Sequence, residues 1–176
     1  MKAASLFTFL CSRIRPECEA RVWGFRPLMA LAASVPATLT VKSGVAKATF
    51  TVRTVSVASN VTATIKAGVG STSQTASLTV DAPTLKSLTL SPTSVVGGKS
   101  SMAKVTLTSV APVGGLMISL SSGNSWATVP GSVKIAAGAT SATFTVKTTV
   151  VTATTTATIS ATLHGASLTA SLTIKQ

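Results

Sequence analysis

Apolar and polar residues alternate with a period of two along most of this chain. The pattern is clearest in residues 83–176, where seven short alternating stretches are separated by turns rich in Gly, Pro or Ser. Successive side chains of a β-strand point to opposite faces, so each stretch predicts a strand with one apolar face and one hydroxyl-rich face. The apolar members are Leu88 and Leu90; Ala103, Val105 and Leu107; Leu116, Ile118 and Leu120; Val133 and Ile135; Ala142, Phe144 and Val146; Ala157, Ile159, Ala161 and Leu163; and Leu168, Ala170, Leu172 and Ile174.

A long internal repeat divides the chain. Residues 35–80 recur without a gap as residues 129–174, which are 94 positions later, and a self-match at fixed spacing marks a tandem array. Only the second copy follows a partner segment of full length, residues 83–128. We therefore predict a complete module at 83–176 and the C-terminal half of another at 33–82. Seven short antiparallel strands, with a turn at 95–98 after the first, are typical of an all-β, immunoglobulin-like antiparallel β-sandwich.

The first residues, 1–32, share nothing with the repeat. They contain both cysteines, and Lys2 with the apolar stretch after it imitates a signal peptide, although four Arg residues follow. Two interpretations stay open, a secretion signal and a disordered or artefactual start unrelated to the modules. On either, we expect residues 1–31 not to pack with a module.

The half module is expected to be marginal by itself, because the three strands that cover the same face of the complete module have no counterpart in residues 33–82. Its inward side chains should therefore be partly bare. These side chains are Leu39, Val41, Phe50, Val52, Ala63, Ile65, Leu78 and Val80.

Composition narrows the function classes. The chain has 15 Lys and Arg against 3 Asp and Glu, a net charge of +12, but only 4% aromatic residues. The basic residues are dispersed, and stacking aromatics are scarce, so we predict a solvated outer face and no specific nucleic-acid binding. No apolar run approaches the roughly 18 residues of a spanning helix, so no transmembrane segment is predicted.

The residues offer little for catalysis. From residue 35 onward the only acid is Asp81, and the only histidine is His164, beside Gly165 at a predicted turn. Paired carboxylates, a Ser-His-Asp set and a cluster of metal ligands all need acids that the modules lack. We expect no enzyme activity, no catalytic residue, no metal and no cofactor. Trp126, beside the polar stretch 121–125, is the candidate ligand contact, as a platform for a sugar ring; packing against the edge of the core is its alternative.

Four segments resemble a known family. LTLSPTSVVGG at 88–98, VTLTSVAPVGG at 105–115, ATVPGSVKIAAGATSATFTV at 127–146 and TASLTI at 169–174 resemble the immunoglobulin-like repeats of large secreted or surface-displayed bacterial proteins. They are broadly similar to the stalk modules of intimin-type and invasin-type adhesins. The paired core cysteines and the Tyr of antibody-type domains are missing, so only the sandwich architecture is carried over.

The resemblance implies a noncatalytic spacer, extracellular or at the cell surface and associated with adhesion. Its expected partners are neighbouring repeats, with glycans or other surface polymers as further partners. Two alternatives remain. The first is a carbohydrate-binding accessory module of a secreted enzyme, and the second is a basic polyanion-binding protein.

Overall fold

The chain forms an all-β structure. A computed structural model describes the backbone of residues 7–8, 17–24, 32–42, 47–69 and 71–176, and the side chains of these except 7–8, 17–24, 42 and 47. Strands joined by turns account for these residues, and none of them lies in a helix. The chain divides into two compact units, Met1–Ala82 (unit 1) and Pro83–Gln176 (unit 2). The predicted all-β class is confirmed.

The strands are numbered in chain order. Those of unit 1 are β1 (Phe7–Thr8), β2 (Glu17–Gly24), β3 (Ala33–Ser34), β4 (Thr38–Lys42), β5 (Lys47–Ala48), β6 (Arg53–Thr54), β7 (Val61–Val69) and β8 (Thr72–Val80). Those of unit 2 are β9 (Leu85–Ser91), β10 (Ser94–Val96), β11 (Ser100–Leu107), β12 (Leu116–Ser122), β13 (Ala127–Thr128), β14 (Ser132–Ile135), β15 (Ser141–Thr148), β16 (Thr155–Leu163) and β17 (Ala166–Lys175).

Unit 2 consists of two sheets over one core. One sheet has the order β10-β17-β16-β12-β14 and the other β13-β15-β11-β9. Val105 and Val146 of the second sheet belong to the same buried cluster as Ile118, Ile159 and Leu172 of the first. Because alternate residues of each strand supply this cluster, the period-two pattern accounts for a β-sandwich, in which each such side chain stabilises the fold by roughly 1.5–3 kcal/mol.

The predicted turn at 95–98 is wrong in its first half. Ser94–Val96 form strand β10, which pairs in parallel with β17, and Val95 is buried. The turn itself is confined to Gly97 and Gly98. Both positions favour glycine, because a Cβ on Gly97 would lie 2.9 Å from the Thr149 carbonyl oxygen and Gly98 has a φ of 85°. Unit 2 therefore departs from seven purely antiparallel strands by the parallel β10 and the two-residue β13.

Strand pairings in the two units follow the 94-residue spacing. In the β7–β8 hairpin Val61 pairs with Val80, and in the β16–β17 hairpin Thr155 pairs with Ile174. The short β3–β6 ladder of unit 1 likewise matches β13–β15 of unit 2 at the same spacing, residue for residue. The sequence repeat thus corresponds to a repeat of hydrogen-bonded registers.

A strand from the N-terminal segment completes the main sheet of unit 1. This sheet has the order β4-β2-β7-β8, so β2 holds the place that β12 holds in unit 2. Cys18 pairs with Val41 as Leu116 pairs with Ile135, and the other pairings of β2 also match those of β12, 98 positions later, except Glu17 with Lys42.

The expectation that residues 1–31 stand apart from the modules is wrong for two stretches. Besides β2, strand β1 pairs with β5. Its two residues take the positions of Val105 and Thr106 of β11, 98 positions later, which pair with β15 in the same register. Unit 1 accordingly includes these two strands of the segment that the sequence set apart. Residues 1–6, 9–16 and 25–31 lie outside the described residues.

Candidate interaction surfaces

A tight turn between β12 and β13 positions Trp126. The Asn124 side chain accepts a hydrogen bond from the Trp126 amide at 2.9 Å and donates to the Thr156 carbonyl at 3.3 Å. The Ser122 hydroxyl donates to the Asn124 carbonyl at 2.9 Å. An Asn that bonds the backbone two residues on is a recurrent turn device, and here it also ties the turn to β16. Sequence reasoning missed Asn124, although Gly123-Asn124 is a recognisable turn signal.

Trp126 is substantially open to solvent. It is 46% exposed and is not part of the buried cluster of unit 2. Its carbonyl accepts a hydrogen bond from the Thr149 amide at 3.0 Å, which places it beside the loop that carries Val150, itself 75% exposed. The ligand contact at Trp126 stays a prediction.

The titratable residues singled out by the sequence are not brought together. His164 is exposed in the β16–β17 turn, where its φ of 50° and the 81° of Gly165 give the left-handed pair of a two-residue hairpin. Asp81 is exposed after β8. Within the described residues no group of three His, Cys, Asp or Glu side chains is placed to hold a metal ion.

The basic side chains lie on solvent faces. Each Lys and Arg whose side chain is described is exposed, including Lys104 and Lys147 on the outer face of the β13-β15-β11-β9 sheet. This agrees with the predicted solvated face.

None of the described residues lies in a helix long and apolar enough to cross a membrane.

The parallel β10–β17 pair joins the beginning and the end of unit 2. Ser94, Val95 and Val96 lie opposite Thr173, Ile174 and Lys175. At its two ends the Thr173 amide donates to the Thr93 carbonyl at 2.9 Å, and the Gly97 amide donates to the Lys175 carbonyl at 2.8 Å.

The corresponding edge of unit 1 is not covered by a strand in the described structure. Strand β8 is the last strand of its sheet, whereas β17, 94 positions later, has β10 beside it. Leu78 and Val80 of β8 are partly exposed, while their counterparts Leu172 and Ile174 are 0% exposed.

The prediction of partly bare side chains in the half module is therefore wrong for five of its eight residues and holds for three. Leu39, Leu78 and Val80 are partly exposed. Leu39 has the same intermediate exposure as its counterpart Val133, so only the two β8 residues distinguish the units. The other five are buried, namely Val41, Phe50, Val52, Ala63 and Ile65.

Known structures offer distant likenesses. Domains 4 and 5 of the S-layer protein SbsC match with a TM-score of 0.41 at 19% identity, over 89% of this chain and 70% of that one. A structure of SbsC domains 1–6 matches with a TM-score of 0.40 at 18% identity, over 91% of this chain and 20% of that one. The BSP domain of a biofilm-associated protein matches with a TM-score of 0.28 at 18% identity, over 91% of this chain and 25% of that one.

This chain thus spans a fifth to a quarter of the latter two structures. No family model matches the chain. No curated protein matches it either.

Proposed function

We propose that this chain is a noncatalytic structural part of an extracellular or cell-surface protein, in which immunoglobulin-like modules follow one another and act as stiff spacers. The observation that carries this proposal is the common spacing of the strand registers in the two units. Modules that repeat the same ladders are a means of building length, since each added copy extends the array by one unit. The scarcity of acids and histidine in residues 35–176 supports a role without catalysis.

The strand order supports the immunoglobulin-like assignment. In the sheet β13-β15-β11-β9, strands β15, β11 and β9 correspond to strands E, B and A of an immunoglobulin sandwich, and β17-β16-β12 corresponds to G, F and C. Strand β13 lies at the edge that strand D occupies in such a sandwich, but β14 comes between β13 and β15 in the chain, so β13 is not equivalent to D. Strand β14 at the far edge takes the place of the additional C′ strand of variable-type domains.

The β10–β17 pair supports a mechanical role. Because the two strands are parallel, a force that pulls the start and the end of unit 2 apart slides one strand along the other. The hydrogen bonds of Thr173 and Gly97, at opposite ends of the pair, then resist together rather than one after another. A ladder loaded in this direction yields only when several bonds break at once.

Force spectroscopy on the full chain, held by its two termini, tests this role. Unit 2 has 94 residues, so its unfolding should release up to about 310–340 Å of chain at roughly 3.3–3.6 Å per residue. Thr173→Pro removes the amide that bonds Thr93 and should lower the unfolding force of this event. Thr169→Pro is the matched control, because it changes the same edge of β17 where β10 does not reach. Equal forces for both variants would reject the clamp.

The proposed location has its own test. An antibody against unit 2, applied to intact cells of the source organism, should label them, and brief external proteolysis should remove the label. Labelling only after the cells are broken would reject the surface location and leave the mechanical result unaffected.

A glycan-binding module is the second candidate. The 46% exposure of Trp126 and the fixing of its turn by Asn124 favour it, because an exposed indole on a rigid turn is suited to stacking on a sugar ring. Binding on a glycan array that is lost in Trp126→Ala, but kept in Val150→Ala, would support this function. Absence of binding in the unchanged chain would reject it.

A further inference from the structure

The outer edge of β8 has the properties of an acceptor for a further strand. In the described part of unit 1, β8 has β7 on one side and no strand on the other. Its sequence, TSQTASLTV, contains no charged residue and no proline. Natural sheets commonly use charges, prolines or bulges to prevent pairing at such edges. The edge of β8 lacks the first two of these protections.

The backbone groups at this edge can be assigned from the other unit. Thr62 pairs with Thr79 as Thr156 pairs with Thr173, and the Thr173 amide points away from β16 to bond the Thr93 carbonyl. The Thr79 amide therefore points away from β7, toward the open edge. By the same correspondence, the Asp81 carbonyl matches the Lys175 carbonyl that accepts from Gly97.

Unit 2 also shows what covers this part of the core. Leu172 and Ile174 belong to one buried cluster with Leu90 of β9 and Val95 of β10. Val95 lies directly opposite Ile174, the counterpart of Val80. A strand that pairs with β8 and carries apolar side chains at these positions would cover Leu78 and Val80.

We propose that β8 of unit 1 binds an extended peptide segment of the β9–β10 type supplied by another polypeptide. The segment pairs in parallel, with its equivalents of Ser94, Val95 and Val96 opposite residues 79, 80 and 81. The Thr79 amide donates to its carbonyl at the position of Thr93, and its amide at the position of Gly97 donates to the Asp81 carbonyl. Pairing gives affinity, and the alternate apolar side chains give selectivity, as in other cases of strand addition.

The test uses the full chain and a fluorescent synthetic peptide, LKSLTLSPTSVVGG, which is the sequence of residues 85–98. Fluorescence anisotropy measures binding, and hydrogen exchange locates it. We expect saturable binding that slows amide exchange in β8 and leaves β17 unchanged, because β17 already has β10 beside it. Protection elsewhere than β8, or no saturable binding, would overturn the proposal.

Two altered peptides separate strand pairing from general stickiness. N-methylation at the glycine equivalent to Gly97 removes the donor to Asp81 and should weaken binding about tenfold. Replacing the equivalents of Leu90 and Val95 by Thr keeps the backbone and removes the apolar cover, and it should abolish measurable binding. If both altered peptides bind as well as the original, pairing with β8 is excluded.

Two variants of the chain give the complementary test. Thr79→Pro removes the outward amide and should weaken binding at least about tenfold, while an outward-facing proline is tolerated on an edge strand. Thr75→Pro changes the same edge four residues outside the predicted pairing and should bind like the unchanged chain. Equal affinity of all three chains would contradict the proposed register, and the altered peptides decide the matter if Thr79→Pro does not fold.

Discussion

Gly115 combines a left-handed backbone with a close approach to strand β14. Its replacement by alanine tests how much these two constraints contribute to the stability of unit 2. Its φ is 77°, and a Cβ added there would lie 2.5 Å from the Ile135 carbonyl oxygen and 3.0 Å from the Lys134 side chain. The lysine end can move away. The carbonyl cannot, because Ile135 is paired with Leu116, the first residue of β12.

Two costs of Gly115→Ala follow from this geometry. A residue with a Cβ in the left-handed region costs about 1–2 kcal/mol, and forcing an extra methyl into a packed site costs about 1–3 kcal/mol. We expect the free energy of unfolding of unit 2 to fall by about 2–5 kcal/mol. Against the 5–15 kcal/mol typical of a domain, this is a large loss.

Two other glycines separate the contributions. Gly165 has a φ of 81° and nothing within 4 Å of its added Cβ, so Gly165→Ala measures backbone strain without a clash. Gly131 has neither constraint, and Gly131→Ala should be neutral or stabilise by up to about 1 kcal/mol.

Hydrogen exchange of unit 2 amides in increasing urea measures all three variants separately from unit 1. The expected order of stability is Gly131→Ala, then Gly165→Ala, then Gly115→Ala. If Gly115→Ala is no less stable than Gly165→Ala, the close approach to Ile135 is not a constraint and the reasoning fails.

Four further predictions follow from the described residues. Leu172→Ala should destabilise unit 2 by about 2–5 kcal/mol, whereas Leu78→Ala should cost unit 1 clearly less because Leu78 is partly exposed; equal losses by hydrogen exchange would contradict this. Ser101→Ala should lower the free energy of unfolding by about 1–3 kcal/mol, because the buried Ser101 hydroxyl donates to the Pro92 carbonyl at 2.6 Å. An unchanged midpoint of urea unfolding would show that this hydrogen bond does not stabilise unit 2. His164→Asn should raise the melting temperature slightly, because Asn tolerates a φ of 50° better, and a decrease would contradict the turn assignment. Chelators should leave the melting temperature unchanged, and a clear drop would reveal a metal site.

The sequence by itself determined seven of the nine strands of unit 2 and the apolar side of each. Val105, Val146 and Leu172 could be assigned to the core from alternation alone, because a strand's side chains change face at every residue. The repeat also predicted which residues of the two units correspond, and the hairpin registers agree with it. For the surfaces, it singled out Trp126 but not the Asn124 that fixes its turn.

Only the tertiary structure decided the role of β2. Its sequence, ECEARVWG, does alternate Cys18, Ala20 and Val22 with charged residues. The sequence repeat did not predict this strand, because β2 shares no similarity with β12 and lies 98 rather than 94 positions before it. Strand pairing uses the backbone N–H and C=O groups, which every residue except proline supplies in full. A segment can therefore occupy a position in a sheet without resembling its counterpart in sequence. Local sequence therefore did not show that this segment pairs with β4 and β7.

The parallel pairing of β10 was likewise settled by long-range contacts. Its residues read locally as a turn because Gly97 and Gly98 follow at once, and the partner, β17, lies far along the chain. In the described part of unit 1, no strand takes the place of β10 beside β8. Leu78 is therefore partly exposed, although the equivalent Leu172 is buried. Alternation predicts which face of a strand is apolar, whereas only the assembled sheets determine whether that face and its edge are covered, because both depend on strands that are distant in sequence.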